Sequence, residues 1–287
     1  MALAGVAPAL AEPAAVTLRD DTGHTQRWAL APQRIISLTP ALTETVCALG
    51  GCARVVGVDR HSNFPESVQR LPQLGGLGDT PIERIVQLRP DVVLLAPSSR
   101  LHERLRALGI PTLVLDTRSQ ADVRRALLMI GQLLRVNDPL AVWRALEQSI
   151  AQAARGVPAA ARGVRVYYEV DRTPYAAGAS SFIGQTLAQL GANNIVGAEW
   201  GDFPQLNPEF VVQANPGLII VSQAEARALA ERPGWATIGA VRQGRVCGLS
   251  SAEAELIARP SPRLGQAAQI LVRCLSLAAS PQHPSFN

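Results

Sequence analysis

The chain has 287 residues, 47% of them apolar and 17% charged, a balance that excludes disorder and is too long for one small core, so two domains are the expectation. A formal charge of +4 is carried by scattered arginines without a run that tracks a phosphate backbone. With aromatics at only 4%, the composition argues against a nucleic-acid partner.

Met1 to Ala11 is a short Ala/Leu/Val stretch ending Ala9-Leu10-Ala11, read as the remnant of a signal peptide, which implies export to the periplasm. Around Asp20-Asp21-Thr22-Gly23, residues 16–28 alternate as a hairpin does. A repeated rhythm follows. Strand 34–38 leads into a helix from Thr39-Pro40 to Leu49, closed by Gly50-Gly51, and strand 55–58 comes next. Helix 81–88, strand 91–95, helix 101–108 and strand 112–115 complete the first half. Two long amphipathic helices, 119–134 and 139–154, precede a second half with strands 164–170, 218–221 and 246–249 and helices 182–190, 208–214 and 263–277. Strands alternating with helices imply parallel sheets covered on both faces.

The halves answer each other. Glu83 opens a helix that runs into Leu88-Arg89-Pro90-Asp91 and an apolar strand; Glu209 opens one that runs into Ala214-Asn215-Pro216-Gly217 and another apolar strand. A Glu in the first turn of a helix is favoured by the helix dipole and is free to meet a guanidinium.

Four cysteines, Cys47, Cys52, Cys247 and Cys274, suit an oxidising compartment. Gly50-Gly51 lets Cys47 and Cys52 meet, and a Cys247 to Cys274 bond would tie a late strand to the last helix; four buried free thiols are the alternative. Catalytic patterns are weak. Gly178-Ala179-Ser180-Ser181 lacks a nucleophile elbow, Gly75-Gly76-Leu77-Gly78 has no phosphate-loop lysine after it, and the histidines form no metal-binding pair. A Rossmann-like enzyme shares the rhythm but would need the missing set.

Arg34-Ile35-Ile36-Ser37-Leu38-Thr39-Pro40, Val56-Gly57-Val58, Ile82 to Val93, Leu190-Gly191-Ala192-Asn193-Asn194 and Pro208-Glu209 together resemble the periplasmic receptors for cobalamin, haem and ferric siderophores in ABC import. The resemblance spans nearly all the chain after the leader. It implies two parallel-sheet α/β lobes joined by a single long helix, with a ligand cleft between them. The lobes fall at residues 12–137 and 161–287, with the interlobe helix at 138–160. It also implies that Glu83 and Glu209 dock on the permease dimer, which works with its ATPase subunits, and that the receptor is a monomer. On the resemblance the chain is not an enzyme, and it holds no cofactor of its own: a metal chelate is bound as transported ligand.

Residues expected at the cleft are Arg60, His61, Leu77, Tyr175, Trp200, Phe203 and Arg259. Flat macrocycles need aromatic walls with a few orienting polar groups. The Tyr175-Ala176-Ala177-Gly178 step and the Arg259-Pro260-Ser261-Pro262-Arg263 segment look most like the cobalamin receptors, where Arg259 would contact the ligand. A ferric siderophore is the alternative because Arg60 and Arg259 suit an anionic chelate, and haem is a further one.

Overall fold

A computed structural model describes residues 15–76, 78–172 and 174–279. The leader expected at residues 1–11 and the candidate Leu77 lie outside the described residues.

The first element is a hairpin, β1 (Val16–Arg19) and β2 (Thr25–Trp28). The Asp20 carboxylate closes its turn by accepting from the backbone N–H groups of Thr22 (3.0 Å) and His24 (3.1 Å), and ties the hairpin to the lobe through Arg106 at 2.5 Å. The first lobe then runs β3 (Ile35–Ser37), α1 (Pro40–Ala48), β4 (Val55–Val58), α2 (Ile82–Gln87), β5 (Val92–Leu95), α3 (Leu101–Ala107) and β6 (Thr112–Val114). Its four strands are all parallel in the order β4-β3-β5-β6. Neighbouring residues sort to opposite faces: Ile35, Val92, Leu94 and Leu113 pack with α1, and Ile36, Val93, Leu95 and Val114 pack with α2 and α3.

Two long helices follow, α4 (Gln120–Leu134) and α5 (Leu140–Arg155). The second lobe contains β7 (Arg165–Asp171), β8 (Tyr175–Ala176), α6 (Phe182–Gln189), β9 (Asn193–Asn194), α7 (Pro208–Ala214), β10 (Leu218–Ser222), α8 (Gln223–Ala228), α9 (Gly239–Arg242), β11 (Val246–Leu249), α10 (Ser251–Ile257) and α11 (Leu264–Ser276). Strands β11, β10, β7 and β9 are parallel, and β8 folds back antiparallel on the end of β7. The same sorting recurs, with Val166, Tyr168, Leu218 and Ile220 on one face and Tyr167, Ile219 and Val221 on the other.

The helix that crosses between the lobes is α4, which corrects the expected position at 138–160. Its first turn is held by the second lobe: the Gln120 N–H donates to Gln185 Oε1 at 2.7 Å, and Val123 packs in that lobe's core. Its later turns bury Ala126, Leu127, Ile130 and Leu133 in the first lobe. By contrast, α5 commits Trp143, Leu146, Ile150 and Ala153 to the second lobe, against α11. Both helices carry an equally good apolar stripe, and periodicity does not say which lobe each stripe faces. Helix α4 starts with a capping box in which Ser119 and Asp122 satisfy each other's backbone N–H groups. Burial pushes the Asp122 carboxyl up, but the hydrogen bonds from Ser119 and Arg125 outweigh it and hold the group below its ordinary value.

Both cysteine pairs are bonded, Cys47 to Cys52 and Cys247 to Cys274, with Cα separations of 4.1 and 5.3 Å. The first closes the end of α1 on the Gly50-Gly51 turn, and the second ties β11 to α11. Among the described residues no helix is long and apolar enough to cross a membrane.

Candidate functional site

The lobes meet along a seam below the carboxyl ends of the strands, the edge at which open α/β sheets receive ligands. On the first lobe the loop after β4 is anchored from beneath. Asp59, 3% exposed, accepts from the His61 N–H at 2.8 Å and the Ser62 hydroxyl at 2.5 Å, and a buried hydroxyl chain links Ser62, Thr43 and Ser37 at 2.9 Å per step. This fixes residues 59–64 on α1 and presents His61, Asn63 and Phe64 to the other lobe.

The tightest contact across the seam is centred on Glu44, a carboxylate in the middle of α1 only 3% exposed. Its Oε1 accepts from Arg259 at 2.8 Å and from Arg263 at 3.4 Å, and its Oε2 accepts from the Ser261 hydroxyl at 2.6 Å. Arg259 Nη1 also donates to Asn63 at 2.7 Å, while Nη2 donates to the His61 carbonyl at 3.0 Å and to Glu255 at 3.1 Å. A guanidinium has four Nη protons, and these four bonds use them all. Arg259, expected at the ligand, thus ties the two lobes together in this structure. Arg263 adds a cation–π contact, 3.8 Å above the Phe64 ring.

The second lobe supplies an aromatic edge. Tyr175 on β8 bridges antiparallel to Gln205, Ala176 N–H donates to the Pro204 carbonyl at 3.0 Å, and Gly178 N–H donates to Asp202 at 2.8 Å. A Cβ on Gly178 would overlap the Gly201 carbonyl oxygen, so the two loops close only around glycine. This ladder ties β8, which carries Tyr175, to the loop that carries Trp200 and Phe203, and the two segments form one rim of the second lobe. Tyr175 and Trp200 are 41% and 47% exposed, Trp200 leans on Phe210 at 5.1 Å, and Phe203 packs on Phe182 at 5.8 Å. Two shallow concavities of about 330 and 340 Å³ flank Phe203; Arg118, from the loop that enters α4, lines both. Arg118 was not signalled by any sequence motif. Its exposed guanidinium is paired with Asp116 at 3.0 Å, and its carbonyl accepts from the Phe182 N–H at 2.8 Å.

The remaining candidates of the first lobe are less closely gathered. Arg60 is exposed and paired with Asp79. His61 is exposed, and only its backbone joins the seam. Among the described residues no group of three or more His, Cys, Asp or Glu is placed to hold a metal ion.

Glu83 and Glu209 occupy equivalent places. Each is exposed in the first turn of its helix, α2 or α7. Each helix then ends beside a residue in the left-handed region, Arg89 (φ 43°) or Asn215 (φ 44°), directly before a proline and a buried strand. The repeat read in the sequence is thus a repeat of backbone geometry. Beside Glu209 lies a groove of about 720 Å³ walled by Pro174, Val212, Arg232, Pro233 and Trp235. Arg232 there clamps the buried Glu169 with two 2.7 Å bonds, and this pairing raises the guanidinium pKa above its ordinary value.

Comparison with known proteins adds to this geometry. The family described as periplasmic binding protein matches residues 35–253. An uncharacterized ABC transporter substrate-binding lipoprotein of Bacillus subtilis is 27% identical over 87% of this chain and 82% of its own length. A vitamin B12-binding protein of Salmonella paratyphi A is 29% identical over 87% of this chain and 92% of its own. The crystal structure of a periplasmic vitamin B12 binding protein of Vibrio cholerae superposes with a TM-score of 0.70 at 23% identity, covering 88% of this chain and 99% of that one.

Proposed function

The chain belongs to the periplasmic binding protein family, and from that premise we propose that it is the exported receptor of an ABC importer, capturing cobalamin or a closely related corrinoid between its lobes. The ligand is cargo, held and released unchanged, and the receptor works as a monomer without a cofactor of its own. The observation that carries the ligand assignment is the rim of Tyr175, Trp200 and Phe203. Two large aromatic side chains left open to solvent, on segments joined by a backbone ladder, suit a flat macrocycle with polar edges. Concavities of about 330 and 340 Å³ are at the small end for ligand pockets. The corrin is therefore received across the seam, with its edges reaching Arg118 and His61, and is not engulfed by one lobe.

Delivery uses the two carboxylates. Glu83 and Glu209 stand one on each lobe and are free to meet arginines of a permease dimer. The exposed Arg118 favours an anionic chelate as the second reading, a ferric siderophore. Calorimetric titration with cyanocobalamin and cobinamide separates the two. The corrinoid reading expects a dissociation constant at or below about the micromolar range; no heat with either corrinoid, together with binding of a ferric hydroxamate or catecholate, overturns it.

A further inference from the structure

The cluster around Glu44 goes beyond what an α/β lobe needs for its own stability. A carboxylate in the middle of a helix is ordinarily turned to solvent, yet Glu44 is turned inward on a helix whose neighbouring residues Ala41, Leu42, Thr43, Thr45 and Val46 are buried too. All three of its partners, Arg259, Ser261 and Arg263, come from the other lobe, from the one short loop, residues 258–263, between α10 and α11. Ser261 is fully buried, and Arg259 is 8% exposed.

The geometry points to Glu44 as the positioning residue that sets the angle between the lobes and so the width of the cleft. It acts through Arg259 and Arg263 rather than by touching ligand. Helix α4 joins the lobes on one side of the seam, by way of Gln120 and Val123. The Glu44 cluster joins them at a second place, through α1, the 59–64 loop and the 259–263 loop. Two attachments remove the rotation that one helix alone would leave free. Because Glu44 and Arg259 are charged and withdrawn from water, removing either leaves the other buried without its closest countercharge, so the loss of one weakens the whole cluster. His61, Asn63 and Phe64 are drawn into the same cluster, which couples the first lobe's cleft loop to the 259–263 loop. The use of cyanocobalamin below rests on the proposed function; the distance measurement does not.

The test places nitroxide labels on the exposed positions Gln87 and Gln213, one per lobe, by Gln87→Cys and Gln213→Cys with both native disulfides intact, and reads the interlobe distance by pulsed electron resonance. The unaltered seam gives one narrow distribution. Glu44→Ala and Arg259→Met each broaden it toward longer distances, the double variant is no broader than Glu44→Ala, and cyanocobalamin release is about tenfold faster in all three. Should Glu44→Ala fail to fold, Ser261→Ala with Arg263→Gln removes two of the three partners, and the same broadening is expected. A folded variant with the narrow distribution retained overturns the inference. If the unaltered protein does not bind cyanocobalamin, the ligand reading fails, and the distance distribution still decides the role of Glu44.

Discussion

The Cys247 to Cys274 bond joins residues 27 apart, and the Cys47 to Cys52 bond residues only 5 apart. In the chain-entropy account, closing the longer loop in the unfolded state contributes about 3.5 kcal/mol of stability and closing the shorter about 2 kcal/mol. The longer bond also lies in the core, with Cys247 and Cys274 at 1% and 0% exposure, between β11 and the helix that packs on α5. Paired replacement by alanine is therefore expected to lower the unfolding midpoint of the second lobe by roughly 10 °C for Cys247 and Cys274. The Cys47 and Cys52 replacement acts on the first lobe by roughly half as much. Calorimetry of both variants, and of the unaltered protein after thiol reduction, measures this. A Cys247 and Cys274 variant as stable as the unaltered protein, or less affected than the Cys47 and Cys52 variant, would refute the reasoning.

Charge reversal at Glu83 and Glu209 together is expected to leave corrinoid affinity unchanged in titration and to abolish uptake in a transport assay; normal uptake removes the docking role. Trp200→Ala and Tyr175→Ala should each weaken cyanocobalamin binding by about tenfold, since an aromatic contact of this kind contributes about 1 kcal/mol beyond its buried area, and an unchanged dissociation constant excludes the rim as the ligand wall. Ile130→Ala, in the half of α4 buried in the first lobe, should cost about 2–5 kcal/mol in denaturant unfolding, and a loss under 1 kcal/mol would mean that this helix is not a core element. Asp122 has a depressed folded-state pKa, so its contribution is present above the ordinary carboxylate value near pH 4 and is lost as pH falls through the folded value. Asp122→Asn should therefore cost about 1 kcal/mol at neutral pH and flatten the acid limb of the stability profile; an unaltered acid limb contradicts the capping role.

Much of the architecture was legible because it is local. Alternation and strand-helix rhythm locate β4 at Val55–Val58, α7 at Pro208–Ala214 and β11 at Val246–Leu249, and the paired Glu phrases identify the two equivalent helices. What sequence could not provide was partnership at a distance. Glu44 and Arg259 are 215 residues apart, and nothing in the stripe around Glu44 says that its carboxylate faces inward. Arg259 was singled out for its segment, and its partner Glu44 in the other lobe was invisible for the same reason. The two-residue strand β8 is too short to show a period, yet it builds the ladder that ties Tyr175 to the loop of Trp200 and Phe203. Arg118 belongs to no motif, and only the turn into α4 brings it against Phe182 and Phe203.

Whether this receptor carries a corrinoid is read most directly from the visible absorption and mass spectrum of protein purified from its own host. The account predicts corrin bands and a corrinoid mass released on unfolding, in stoichiometric amount; a haem Soret band, or the charge-transfer band and mass of a ferric siderophore, would contradict it.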